Sequence, residues 1–366
     1  MPTDLAGRAS DSMNRNQREG SGVLVDCAAD DAAVNGNREI CICVDAMGAD
    51  FEPACAVEAA ALALGADDRL RLQLVGDAGR LDPALGRLSA AISARIERIA
   101  SKEHIAMASS PAEALRHGRA SSMAVALDRL ADGAADAVVS SGNTGALMAL
   151  ARYRLGTLPG MERPALMTGF PVFGGSAWVL DLGANIGVDA ERLTEFAVLG
   201  SAAVSALLKR KPRVALLNIG SEPNKGPDVV REAARRCAAT DIDLVGFVEG
   251  HDVFAGAADV VVCDGFAGNI LLKSAEGAIA MLLGDIDKAG SRVFAGPGLR
   301  RLRKRMQQAY DPARHNGASL LGVSGIVIKS HAHASIEGIA HAIGVAALEV
   351  RRGMLPELQR QLWANV

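Results

Sequence analysis

The 366-residue sequence predicts an α/β protein built on a doubly wound, mostly parallel sheet. Two observations predict it. Short apolar runs of strand length alternate with stretches of helical periodicity along nearly the whole chain, the pattern of a parallel sheet covered on both faces. Several of these runs also end in a polar residue followed by Gly, Ser or Asn, and open α/β sheets bind ligands at such strand ends. The composition agrees: 49% of the residues are apolar and 22% charged, and the chain is long enough to bury a large core.

Met1–Arg38 is polar, with a brief apolar patch at Val23–Val25, and reads as a mobile extension. The α/β unit then runs from Glu39 to Val366. Its first strand, Glu39–Asp45, ends in a carboxylate that either faces a site or caps the helix predicted over Pro53–Leu64. Leu70–Val75 is a strand, Asp77–Leu88 helical, Ile105–Ala108 a short strand, and Pro111–Arg116 and Ser121–Ala131 helical. Ala135–Ser140 is a buried strand. It runs through Ser141-Gly142-Asn143-Thr144-Gly145 into a helix over Ala146–Leu155, so that backbone N–H groups and a helix dipole converge where an anion could sit.

The middle of the chain repeats the device. Strand Ala177–Gly183 contains Asp181 and leads through Asn185 to a helix over Asp189–Leu208. Strand Arg213–Gly220 leads to a loop carrying Lys225, then to a helix over Pro227–Cys237. Asp243–Val248 and Ala258–Asp264 are further strands, and a long helix starting near Asn269 carries Lys273 one turn in. Within Ser274–Tyr310, Ile279, Leu282, Leu283 and Ile286 form one apolar stripe. Leu299, Leu302 and Met306 form another beside Arg300, Arg301, Arg303, Lys304 and Arg305, so the segment reads as a projecting helical hairpin for dimer contact, membrane contact or both. Gly322–Ser330 is the last strand, leading to Lys329 and His331, and Ser335–Arg351 is a closing helix.

A net charge of −3 and 3% aromatic residues argue against nucleic-acid binding. The six cysteines lack metal-ligand spacing, and Cys263, inside an apolar strand, reads as a core thiol. With neither a membrane-length apolar run nor a signal-peptide core, the expected location is the cytoplasm.

The polar residues at predicted strand ends and helix starts are Asp45, Asn143, Thr144, Asp181, Asn185, Lys225, Asn269, Lys273, Lys329 and His331. The chain has no nucleophile elbow, phosphate-loop lysine motif, dinucleotide fingerprint or metal motif, so neither cofactor nor metal is expected. Amides, hydroxyls and cations suit oxyanion binding, and hence a reaction in which phosphate itself attacks a thioester. This reading places phosphate at Ser141–Gly145 with Lys225 or Lys273, gives oxyanion stabilisation to Asn143 and Asn269, and makes Lys329 and His331 secondary contacts.

The strings VDAMGAD, SSGNTGALMA, LDLGAN, ALLNIG…NKG, VEGHDVFAGAADVVVCDGFAGNILLKSAEG and LLGVSGIVIKSH, in this order from about Ile40 to Leu348, resemble the bacterial phosphate acyltransferase family. The resemblance implies a fold of the isopropylmalate dehydrogenase/phosphate acetyltransferase type, a homodimer and no cofactor. It also implies reversible acyl transfer from acyl carrier protein to orthophosphate, the acyl phosphate passing to a membrane glycerol-3-phosphate acyltransferase in phospholipid synthesis. The chain departs from the family pattern at Ala49, Phe51, Ser221–Asn224, Ile186–Ala190 and His315–Ser319, which bears on loop shape and chain-length preference. Two other readings stay open at this point: an enzyme acting on coenzyme A esters, and a non-catalytic scaffold at a membrane surface.

Overall fold

The computed structural model describes residues 38–48, 52–290, 298, 301, 304–306 and 315–363. The polar extension, Ala49 and Phe51 lie outside these residues. Eleven strands form one continuous sheet: β1 (Ile40–Asp45), β2 (Leu70–Gly76), β3 (Ile96–Ala100), β4 (Ala137–Ser140), β5 (Ala165–Val172), β6 (Gly175–Leu180), β7 (Arg213–Leu217), β8 (Asp243–Val248), β9 (Val260–Val262), β10 (Ala318–Leu321) and β11 (Ile326–Lys329). Their order is β3-β2-β1-β4-β11-β10-β5-β6-β9-β7-β8.

The sheet is two parallel blocks joined by an antiparallel seam. β3, β2, β1, β4 and β11 run parallel, as do β6, β9, β7 and β8. β10 is antiparallel to both β11 and β5, and β5 is antiparallel to β6. Three reversals in a row make the two blocks point in opposite directions, so their carboxyl ends lie at opposite edges. β5 and β10, which create the reversal, were not expected from the sequence. Ile105–Ala108, expected as a strand, is not one. Ile96–Ala100 takes the edge position beside β2, and Ile105 sits in a loop with its side chain buried in the core.

One face of the sheet is covered by α1 (Pro53–Ala66) and α11 (Ile336–Arg352) over the first block, and by α7 (Ala190–Leu208), α8 (Asp228–Cys237) and α12 (Met354–Trp363) over the second. α2 (Ala78–Leu85) and α3 (Ala90–Ser93) connect β2 to β3. On the opposite face α4 (Pro111–His117), α5 (Ser122–Ala131) and α6 (Thr144–Leu155) cover the first block, and α9 (Gly250–Ala255) and α10 (Gly265–Gly290) serve the second. On this face α9 packs against β5 through Phe254 and Phe170. The gap between α6 and α10 is the cleft described below.

Side-chain caps define the helix starts. Ser110 and Glu113 form a capping box on α4, while Ser121, Asp189 and Ser335 cap α5, α7 and α11. α10 is one helix of 26 residues, and, against the expectation of no membrane-length apolar run, its segment Gly265–Ile286 is long and apolar enough to cross a membrane by length and composition. The return arm of the expected hairpin lies mostly outside the described residues, Arg300 and Arg303 included. Arg301, Lys304 and Arg305 are exposed helical residues.

Candidate active site

The register of the first block builds one wall of the site. Asp45, Ser140 and Lys329 are directly aligned on the adjacent strands β1, β4 and β11. Ser140 Oγ donates to Asp45 Oδ2 at 2.7 Å and accepts from the Gly142 N–H at 3.1 Å. The turns after β1 and β4 touch through glycine: a Cβ on Gly48 would lie 2.4 Å from Asp45 Oδ2 and 2.9 Å from Gly142 N. Lys329 Nζ donates to the carbonyls of Ser141, at 3.4 Å, and Ser330. Burial pulls the Lys329 ammonium down to about 8, against the opposing influence of Asp45. Burial also raises the Asp45 carboxyl, although Ser140 and the Met47 N–H stabilise its ionised form.

The cleft has a volume of about 450 Å³, within the range of small-molecule sites. Five residues expected from the sequence line it: Thr144, Asn269, Lys273, Lys329 and His331. Thr144 is the first residue of α6, whose dipole brings partial positive charge to that end. Asn269, Lys273 and Glu276 come from one face of α10. Lys273 Nζ pairs with Glu276 Oε2 at 2.7 Å, and Glu276 Oε1 lies 3.6 Å from His331 Nε2. Burial and the nearby Lys273 lower the His331 imidazole below its ordinary value, opposed by Glu276. The rest of the lining is mainly apolar, with Leu166 and Phe170 of β5, Leu182, Ile186, Phe266, Leu272 and Ile279, interrupted by the polar Thr168, Asn316 and Ser330. Phe266 and Ile186 are largely exposed, placing bulky apolar surface at the rim.

The other expected residues are not among those lining the cleft. Asn143 caps α6, and its amide is committed to the scaffold: Oδ1 accepts from Ala146 N–H at 2.8 Å, while Nδ2 donates to the carbonyls of Met107 and Ser109 at 2.6 and 3.1 Å. It therefore has no spare donor for an oxyanion. Ser141, Gly142 and Gly145 shape the turn from beneath, Gly145 packing against Pro111. Asp181 is fully buried, and its carboxylate takes N–H bonds from Leu166, Ala184 and Asn185 and one from the Asn185 side chain. Asn185 also donates to the Pro164 carbonyl. The pair is a latch that fixes the Leu182–Ala184 turn, not a substrate contact. α10 docks tightly against this latch, since a Cβ on Gly268 would fall 1.9 Å from the Asp181 carbonyl oxygen. Lys225 is exposed in the loop beyond β7, at the carboxyl edge of the second block. That loop is tied down by Asn218 Nδ2, which donates to the Lys225 carbonyl at 3.1 Å.

Three contributors escaped the sequence reading. Glu276 stands three residues after Lys273, a spacing that places both on one helix face and could have signalled the pair. Asn316 is buried and clamps the segment after β11: Nδ2 donates to Ser330 Oγ and the Gly338 carbonyl, both at 2.7 Å, and Oδ1 accepts from the His331 N–H at 2.9 Å. Thr168 lines the floor on the unforeseen β5. Among the described residues no group of three His, Cys, Asp or Glu could hold a metal. The Cys263 Sγ donates to the Asp181 carbonyl at 3.5 Å and burial pushes its thiol up, as suits a core residue.

Residues 40–356 match the family described as fatty acid synthesis protein. The chain is 48% identical over 327 residues to a phosphate acyltransferase of Pseudomonas putida (strain F1), spanning 88% of this chain and 97% of the relative. It belongs to the phosphate acyltransferase family. A phosphate acyltransferase of Pseudomonas savastanoi pv. phaseolicola is 46% identical over 326 residues, covering 88% of this chain and 96% of the relative. Among solved structures, the EutD phosphotransacetylase of Staphylococcus aureus superposes with a TM-score of 0.56 at 18% identity, covering 85% of this chain and 94% of its own. A phosphotransacetylase from Streptococcus pyogenes gives 0.55 at 21% identity, with the same coverage. At these identities the structures show a shared fold, the mixed two-block sheet described above.

Proposed function

We propose that the cleft transfers a fatty acyl group from the thioester of an acyl carrier protein to orthophosphate, giving acyl phosphate for phospholipid synthesis. Family membership supports phosphate acyl transfer as the reaction class. The observation that carries the assignment to this cleft is its division into a cationic end and a mainly apolar remainder, which suits an inorganic anion held against a fatty acyl chain.

Phosphate is proposed to bind at the start of α6, between Thr144 and the Lys329 ammonium. An oxygen of the phosphate attacks the thioester carbonyl and forms the new C–O bond. Asn269 and Lys273 stabilise the tetrahedral oxyanion, where one well-placed donor is worth about 3–4 kcal/mol. The intermediate collapses with cleavage of the C–S bond and departure of a thiolate, which needs little proton help at a thiol pKa near ~8.5. His331, whose proton affinity is lowered by burial and the nearby Lys273, can take the proton left on phosphate and return it to the thiolate. A cytoplasmic homodimer that touches the inner face of the cell membrane through α10 and the segment after it, and passes acyl phosphate to a membrane glycerol-3-phosphate acyltransferase, completes the reading.

The test is to incubate the purified chain with long-chain acylated carrier protein and inorganic phosphate, and to measure acyl phosphate. A product that forms with the carrier-linked donor supports the proposal. Release of thiol without acyl phosphate, or a marked preference for coenzyme A esters, refutes it.

A further inference from the structure

The C-terminal ends of α4 and α6 lie side by side and carry a cluster of cations far from the cleft chemistry. Arg119, just beyond α4, and Arg154, in the last turn of α6, each place a guanidinium 5.7 Å from the ring centroid of Tyr153. Tyr153 is 58% exposed even so. Arg154 is spent on structure: it pairs with Asp128 at 3.1 Å and donates to the Arg119 carbonyl at 3.0 Å. Arg116, Arg119 and Arg152 are exposed and have no ion-pair partner among the described residues. The nearest acidic residue of α4, Glu113, is turned back onto its own capping box. Arg119 stands over the exposed tyrosine, Arg116 lies one turn before it at the end of α4, and Arg152 precedes Tyr153 on α6, three exposed positive charges in a chain with 42 acidic and 39 basic residues. Arginine and tyrosine are also the side chains that dominate protein–protein hot spots.

α6 connects this surface to the site. Its first residue, Thr144, lines the cleft, and Arg152 lies eight residues further along, about 12 Å at the helical rise. Exposed Met107, whose carbonyl is held by Asn143, is tied to the start of the same helix. We infer that the surface formed by Arg116, Arg119, Arg152 and Tyr153 is the docking site of the acyl donor, a carrier protein with an acidic surface whose thioester reaches the cleft on a flexible arm. The inference rests on the proposed carrier-dependent reaction and adds where that carrier binds. Opposite charge gives such a partner a fast, salt-sensitive encounter, and the stacked tyrosine supplies a preorganised contact.

The full chain carrying Arg116→Glu, Arg119→Glu and Arg152→Glu together tests it, with Tyr153→Ala as a second variant that leaves the charges in place. Two readouts are compared. One is binding of fluorescently labelled carrier protein by anisotropy at low and high salt. The other is acyl phosphate formation from the acylated carrier and from an acyl-pantetheine thioester, which has the arm but no protein. Charge reversal should weaken carrier binding at least tenfold and flatten its salt dependence. It should raise KM for the acylated carrier by a similar factor and leave kcat/KM for acyl-pantetheine within about twofold. Tyr153→Ala should shift the same quantities less and in the same direction. Unchanged carrier binding, or an equal loss with both donors, overturns the docking surface. A wild-type chain that binds carrier through these arginines yet makes no acyl phosphate refutes the reaction instead, so the two failures are distinguishable.

Discussion

Replacing Asn143 with Ala separates a scaffold role from a catalytic one. The side chain makes three bonds, and each has a cost when lost. Removing the cap of α6 costs about 1 kcal/mol, and leaving the carbonyls of Met107 and Ser109 without their shared donor costs about 1 kcal/mol each at partly exposed sites. The sum is about 2–3 kcal/mol, or a fall in melting temperature of roughly 3–5 °C for a unit of this size. Chemical denaturation followed by circular dichroism measures the first figure, and a thermal scan the second. Asn143→Asp keeps the cap acceptor and loses both donors, so it should fall between wild type and Ala. Catalysis at low temperature, where the variant is folded, should drop less than tenfold, because the amide is already occupied. A loss of a hundredfold or more in kcat with unchanged stability would show that Asn143 donates to the reacting oxyanion, and the structural assignment would fail.

Three further outcomes follow from the charges of the site and the core. Lys329→Met should raise KM for phosphate by about 10–100-fold, the worth of one hydrogen bond to a charged group; in wild type the same affinity should fall as pH rises through about 8 and the ammonium is lost, and a flat phosphate KM from pH 7 to 9.5 would refute the role. Glu276→Gln frees Lys273 for the oxyanion and removes the carboxylate beside His331, so steady-state kinetics should show a higher kcat and an acid limb displaced to lower pH. Glu349 is buried on α11 with Ser319 as its hydrogen-bond donor, and burial raises its carboxyl to about 8. The folded state then binds the extra proton, so the stabilisation is complete below the unfolded value of about 4.5 and is lost as pH rises through about 8, up to about 5 kcal/mol in all. Glu349→Gln should flatten that decline in a pH series of denaturant midpoints.

The sequence declared the parallel blocks and concealed the seam between them. Runs such as Leu70–Gly76, LRLQLVG, alternate apolar with polar residues and end in turn residues, so they announce themselves. β5 does not, because Gly169 and Pro171 interrupt it. The structure tolerates Pro171 because β10 pairs only with Ala165–Met167, leaving that side of the proline with no ladder to break. β3 is an edge strand whose Glu97 and Arg98 face outward, and such charge is a common guard on exposed edges. The same contrast holds in the site. Lys329 ends a strand, His331 follows it and Thr144 opens a helix, so these could be placed from local pattern; Asn269 and Lys273 are expected at a helix start near Asn269, whereas α10 begins at Gly265. The commitment of Asn143 to Met107 and Ser109, and of Asp181 to Leu166, depends on chain segments 15 or more residues away, which no local pattern reveals.

The seam has a bearing on how this protein could change its substrate. β5 and β10 are shared by both blocks, so a substitution in the floor disturbs pairing on either side. α10 borders the cavity without belonging to the sheet, and it presents Leu272 and Ile279 to the cavity alongside Asn269 and Lys273. Exchanging side chains such as Leu272 and Ile279 along one helix would reshape the apolar wall without breaking any strand pairing, a short evolutionary step toward a different substrate.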